Sequence, residues 1–184
     1  MIRSHWFKLL FNTIGFQAVW FTCAFTVNLT PPFNVIWIAL VTFGFMAQHI
    51  CLSHEWRVES DLIFKVSLIG FIFDTLLIQN HFIYFEGSYP GYLSGVQPFW
   101  MTCLWLSLGA CLNHSLGWLK SLIKWSSLIG AVMGTFSYLA GAKLGVLSFG
   151  SSQAVMATAL GWALTLPILT LLSRNPPPKA EIQQ

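Results

Sequence analysis

An aspartate inside an apolar run is the residue of this chain best placed to do chemistry. Asp74 lies near the centre of the stretch 62–82. At that depth in a bilayer an acid costs about 2.5–3.5 kcal/mol by insertion scales, and such residues face the protein interior and serve function by default. No basic residue stands at matching depth, so Asp74 is expected to be neutral at pH 7. Gln17, near the middle of the first apolar run, is its expected hydrogen-bonding partner. His81 follows Asp74 by seven residues, a spacing that puts both on one face of a continuous helix. With Tyr138 it would line a path from the outer surface to the acid. The competing role for Asp74 is a structural interhelical hydrogen bond, worth under about 2 kcal/mol, and the two readings weigh equally.

A second set of polar residues falls about one turn in from the opposite surface: Asn12, Gln48, His49, Asn113 and His114. Two histidines on different helices can bind a metal or exchange protons. No Glu-x-x-His or His-x-x-x-His pattern adds a ligand from the same helix, and the spacing of His49 to His54 does not put both on one face. A hydrogen-bond network is the favoured reading, with no metal and no cofactor. Nothing in the chain has the form of a nucleophile elbow, a phosphate loop or a haem-attachment motif.

These residues need helices to hold them at depth. The chain has 184 residues, of which 55% are hydrophobic and 8% charged, with a mean hydropathy of +0.67. Ordinary soluble domains carry about 25% charged residues. Six apolar runs at about 9–28, 33–52, 62–82, 98–118, 125–143 and 152–172 alternate with short connectors. A crossing needs about 20 apolar residues, so the expected fold is all-α: a polytopic bundle of six transmembrane helices over 1–174, with a disordered cytoplasmic tail at 175–184. Arg3, Lys8, Arg57, Lys65, Lys120, Lys124, Arg174 and Lys179 then share one side, and only Lys143 lies opposite. Positive residues mark the cytoplasmic side, so both termini are expected to be cytoplasmic. The scattered positive charge excludes a nucleic-acid footprint.

Several connectors and faces carry further expectations. The mixed-sign segment 54–61 reads as a solvated turn, and the Tyr-, Gly- and Pro-rich stretch 84–92 as an interfacial outer loop. The bulky residues Trp20, Phe21 and Phe25 stand where a signal cleavage site would need small ones, so the first helix is expected to remain uncleaved. The four cysteines read as small buried hydrophobes. In the fifth run Ser127, Gly130, Gly134, Ser137 and Gly141 alternate in steps of three and four, a small-residue stripe for close helix packing. Ala157-x-x-x-Gly161 is its expected mating surface, and homodimerisation through the stripe is the second reading. There is also an internal echo: 62–70 resembles 122–130, with Gly15 at the matching level of the first run.

At Pro98-Phe99-Trp100-Met101-Thr102-Cys103-Leu104-Trp105, Ser115-Leu116-Gly117-Trp118-Leu119 and Tyr138-Leu139-Ala140-Gly141-Ala142-Lys143-Leu144-Gly145, the chain resembles a bacterial inner-membrane family catalogued as domain of unknown function 2878. The resemblance spans essentially the whole chain and implies an inner-membrane location. Its members are often encoded beside enzymes that alter fatty-acyl chains, which implies a place near lipid modification. The first functional expectation is therefore an accessory or lipid-handling component, with membrane lipids and a lipid-modifying enzyme as partners. A small proton-linked transporter using Asp74 is a second reading. A membrane-embedded enzyme drawing on Asp74, His49 and His114 is a third.

Overall fold

The computed structural model describes residues 2–53 and 55–174, with the side chains of residues 2–8 and of Arg174 outside the description. The tail expected at 175–184, and His54, lie outside the described residues. The fold is all-α. It comprises α1 (Ile2–Thr26), α2 (Phe33–Leu52), α3 (Trp56–Gln79), α4 (Phe99–Cys111), a fifth rod made of α5 (Ser126–Ile129), a π segment (Gly130–Gly134) and α6 (Thr135–Lys143), and α7 (Ser152–Arg174).

Among the described residues three helices are long and apolar enough to cross a membrane, within Leu9–Thr26, Phe33–Leu52 and Ser152–Ser173. Large apolar side chains point outward on each face of the bundle: Phe25 is 65% exposed, Phe64 67%, Phe136 66% and Leu164 70%. Asn12, His49, Glu59, Asp74 and Gln97 are instead buried. Polar inside and apolar outside is the arrangement expected when the surrounding solvent is hydrocarbon.

α1 and α2 form a hairpin. Its Pro31-Pro32 turn is fastened by buried Asn34, whose amide donates to Val27 O at 3.3 Å while its own oxygen accepts Val35 N at 2.7 Å. α4 sits centrally, packed on α1, α2 and α3, and α7 packs along the fifth rod and against α3.

Three hairpins share one packing device. A Cβ on Gly15 of α1 would overlap the Phe45 ring of α2. One on Gly70 of α3 would fall inside the Trp105 indole of α4, and one on Gly134 would fall inside the Trp162 indole of α7. Each odd-numbered rod thus offers a glycine socket to an aromatic knob on the next helix. Gly15 and Gly70 are the glycines at which the sequence echo aligns.

The fourth run departs from its expected extent of 98–118. α4 has 13 residues, about 20 Å at ~1.5 Å per residue, short of a ~30 Å hydrocarbon core. The cause lies on α1. Asn12 Nδ2 donates to Ala110 O at 3.0 Å, and its Oδ1 accepts Ser115 N at 3.3 Å and Ser115 Oγ at 2.6 Å. One buried side chain therefore occupies a carbonyl and an amide that the next helical turn would have used, and the backbone continues as turns and short 3-10 segments. Asn12→Ala should cost about 1–2 kcal/mol. It should also speed amide exchange across 112–120, measurable by hydrogen–deuterium mass spectrometry, with no change in the α1–α2 hairpin turn.

At the opposite end of the bundle the loops after α3 and α6 form a clasp that the sequence pattern did not announce. β1 (Ile83–Phe85) pairs antiparallel with β2 (Leu147–Phe149), register Tyr84 to Ser148. Ile83 and Phe85 turn inward and Tyr84 outward, the period-two alternation of a strand. Glu86 N to Val146 O at 3.0 Å and Gly150 N to Phe82 O at 2.8 Å extend the pairing on both sides. Beyond β1, Tyr92 is fully exposed.

Candidate functional site

The fifth rod sets the position of the first cluster. Its π segment closes hydrogen bonds one residue wider than an α-helix, so successive steps of four return to one face. The buried line is therefore Ser126, Gly130, Gly134, Tyr138 and Gly141. This corrects the expected stripe at two positions, because Ser127 and Ser137 are exposed. Ser137 accepts a long 3.4 Å hydrogen bond from Trp20. Gly130 and Gly134 let the backbone and ring of Trp162 approach closely, whereas Gly161 receives Phe73 of α3 rather than the fifth rod.

That register carries the Tyr138 hydroxyl to Asp74. Tyr138 donates to Asp74 Oδ1 at 2.5 Å, and Trp105 Nε1 of α4 donates to Asp74 Oδ2 at 2.6 Å. With its amide nitrogen turned toward these acceptors, Gln97 donates to Asp74 Oδ2 at 3.0 Å and to Gly70 O at 3.2 Å. Its oxygen then accepts from Thr102 N at 3.2 Å and from Thr102 Oγ1 at 2.7 Å. The carboxyl is fully enclosed, at 0% exposure. Trp105 stacks on Trp162 at 5.1 Å, and Phe73 meets both rings edge-on at 6.1 and 5.9 Å. Asp74 thus ties α3, α4 and α6 together at one point.

Two expected companions of Asp74 lie elsewhere. Gln17 is exposed on α1, and both oxygens of the acid are taken by other donors. His81 is also exposed, because α3 stops at Gln79 and the chain turns through a left-handed His81 at φ 58°. The seven-residue spacing therefore no longer describes one helix face, and His81 stacks on Tyr84 instead.

The second cluster lies at the end of the bundle where the α2–α3 and α4–α5 connectors run. Its centre is Glu59, in the first turn of α3, a residue that the mixed-sign connector had suggested was solvated. Instead it is 7% exposed. His49 Nε2 lies 3.3 Å from its Oε2, and His114 Nε2 lies 3.5 Å from its Oε1. Asn113 Nδ2 donates to Oε1 at 3.1 Å, while Asn113 Oδ1 accepts from Lys120 Nζ at 2.6 Å. Burial alone would raise the Glu59 carboxyl, but the two imidazoles and Asn113 outweigh it and bring it down to about 2. The histidine rings stand perpendicular, 4.9 Å apart.

All five residues of the expected inner layer therefore belong to this end. His49, Asn113 and His114 gather on Glu59, Asn12 caps α4, and half-buried Gln48 lines the cavity. That cavity, of about 230 Å³, is bounded on its apolar side by Phe11, Phe45 and Leu52 and on its polar side by Gln48, His49, Glu59 and His114. Asp74 is not among its lining residues.

A family model described as a protein of unknown function, DUF2878, matches residues 9–168, which takes in both clusters and the cavity. The chain belongs to the DUF2878 family. No curated protein and no solved structure matches the chain. The family match covers every helix that supplies Glu59, His49, His114 and Asp74, so both sites lie in the family's shared region.

What the sequence missed were Trp105 and Gln97 in the first cluster and Glu59 in the second. Trp105 and Gln97 look like belt and loop residues until α4 is placed against α3. Glu59 precedes Leu62, Ile63 and Val66 by three, four and seven residues, an α3 periodicity that could have shown it on the buried face.

Proposed function

We propose that this protein is a multi-span component of the bacterial inner membrane that holds a lipid-like molecule, its polar end in the cavity beside Glu59 and its chain along Phe11, Phe45 and Leu52. The single observation that carries this reading is the divided lining of that cavity, apolar on one side and hydrogen-bonding on the other. A pocket lined mainly by apolar groups with a few convergent polar ones is the usual form of a small-molecule site. Arg57, Lys65, Lys120 and Lys124 stand toward the same end and Lys143 toward the other, which supports placing the cavity on the cytoplasmic side with both termini. A role beside enzymes that modify acyl chains agrees with that placement.

Support for lipid handling over proton-linked transport comes from Asp74. A transport site needs a water path to its protonatable group, whereas this carboxyl is enclosed by Trp105, Tyr138 and Trp162, outside the cavity.

The test is photo-crosslinking in nanodiscs with a phosphatidylethanolamine carrying a diazirine on its acyl chain. Labelling should concentrate at Phe11 and Phe45 above the level at outward residues such as Phe136. Leu52→Trp, which fills the cavity rim, should reduce the cavity adducts several-fold and leave the Phe136 adducts unchanged. Equal labelling at cavity and belt, insensitive to Leu52→Trp, would refute the reading. In cells, a deletion strain should differ from its parent in acyl composition by lipid mass spectrometry.

A further inference from the structure

We propose that His49, Glu59 and His114 form a divalent-metal site, with zinc as the ion. The three residues come from α2, α3 and the turn after α4, and their candidate ligand atoms all lie within 4.8 Å of one another. Zinc bonds to imidazole nitrogen and carboxylate oxygen are about 2.0–2.2 Å long, so a tetrahedron of such ligands has edges of about 3.3–3.6 Å. Each imidazole already stands at that distance from one carboxylate oxygen, His49 Nε2 from Glu59 Oε2 at 3.3 Å and His114 Nε2 from Glu59 Oε1 at 3.5 Å, so the carboxylate bridges the two rings. With one ligand atom from each residue the set lies within 4.8 Å, so a contraction of about 1 Å, shared among the three side chains, brings it to the same edge length.

Two further observations separate this from a plain hydrogen-bond network. His114 Nε2 is buried and, although it stands 3.5 Å from Glu59 Oε1, makes no hydrogen bond of ordinary geometry. A buried polar atom left unsatisfied in this way requires a cause, and a cation between the three groups supplies one. Glu59 is also oriented from behind: Asn113 donates to its Oε1 and is itself held by Lys120. Carboxylate ligands in metal sites are commonly held by such outer hydrogen bonds.

Two imidazoles and one carboxylate are a nitrogen–oxygen donor set suited to zinc, with the fourth position left for water or a ligand oxygen. Here that open side faces the cavity, whose lining includes Gln48, Ser53 and the second carboxylate Glu55. The ion would give the cavity a positive centre and select a ligand with an anionic or carbonyl oxygen at its polar end. The site shares its cavity with the proposed lipid-like ligand, but the metal can be measured without any lipid probe, so either reading can fail alone.

The experiment is elemental analysis of the full chain purified in detergent from zinc-replete cells, followed by zinc and cobalt titration of the chelated protein. Stoichiometric zinc is expected in the wild type, with visible d–d bands on cobalt loading that zinc displaces. The His49→Ala, His114→Ala double variant should lose the bound zinc, and Glu59→Gln should weaken binding strongly while preserving side-chain shape. Asn113→Ala, which keeps all three ligands, should weaken binding about tenfold. If the double variant does not fold, the cobalt spectrum of the wild type still decides. A wild-type chain that takes up neither zinc nor cobalt, or folded variants that hold zinc as tightly as the wild type, would overturn the proposal.

Discussion

Asp74→Ala should lower the stability of the bundle by about 2–3 kcal/mol, since it takes an acceptor from three buried donors at roughly 1 kcal/mol each. Those donors are Trp105 Nε1, the Tyr138 hydroxyl and the Gln97 amide. Interhelical hydrogen bonds in membranes average about 0.6 kcal/mol and reach about 1.7. A single acceptor serving three elements lies at the upper end, because Trp105 Nε1 and the Tyr138 hydroxyl lose their acceptor while only Gln97 keeps another, Gly70 O. Asp74→Asn should recover only part of the loss, because one face of the amide presents donors to donors. Thermal unfolding in detergent, followed by helical circular dichroism, measures both. If Asp74→Asn left stability untouched but abolished proton-linked uptake in proteoliposomes, the structural role would be wrong and the transport reading right.

Gly70→Leu is expected to have a comparable effect by a different route. Any side chain at Gly70 enters the Trp105 indole, so either that ring leaves its place or α3 and α4 separate. Overpacking of this kind costs about 1–3 kcal/mol, and displacing Trp105 forfeits its hydrogen bond to Asp74 as well, about 1 kcal/mol more. The fully buried indole should then report a shifted tryptophan emission together with the lowered unfolding temperature. A Gly70→Leu, Trp105→Ala pair should cost less than the sum of its parts, since the second change makes room for the first. Additive losses would mean that the two residues do not meet.

The two variants act on one junction, and that junction shows how far the sequence could be read. Asp74 stood out because an acid in an apolar run has few reasons to be there. Its partners did not, because tryptophan, tyrosine and glutamine are common at membrane depth and only docking selects among them. Gln17 and His81 were reasonable by depth and spacing. Gln17 failed because depth does not determine azimuth, and His81 because α3 ends two residues before it. The stripe on the fifth rod was displaced at Ser127 and Ser137 for a related reason, since a π segment changes the residues per turn and no local pattern marks it.

The metal-ligand set makes the same point from the other direction. His49 and His114 were legible as a pair at one depth, and no third ligand lay on either helix. Glu59 belongs to a segment of mixed charge, where an acid ordinarily faces water. Its place on the face of α3 that carries Leu62, Ile63 and Val66 turns it inward, between the two imidazoles.

The chain's order of residues by itself settled the helical class, the extents of α2 and α7 and the outward apolar faces, because the burial of backbone polar groups and the period of apolar residues are local properties. Tertiary contacts decided the rest. Asn12 ended α4 by taking its backbone partners, the loops after α3 and α6 paired into a clasp, and Asp74 and Glu59 found their neighbours on other helices. Those outcomes depend on which faces meet, and that follows from knobs such as Trp105 and Trp162 entering glycine sockets far away in the chain.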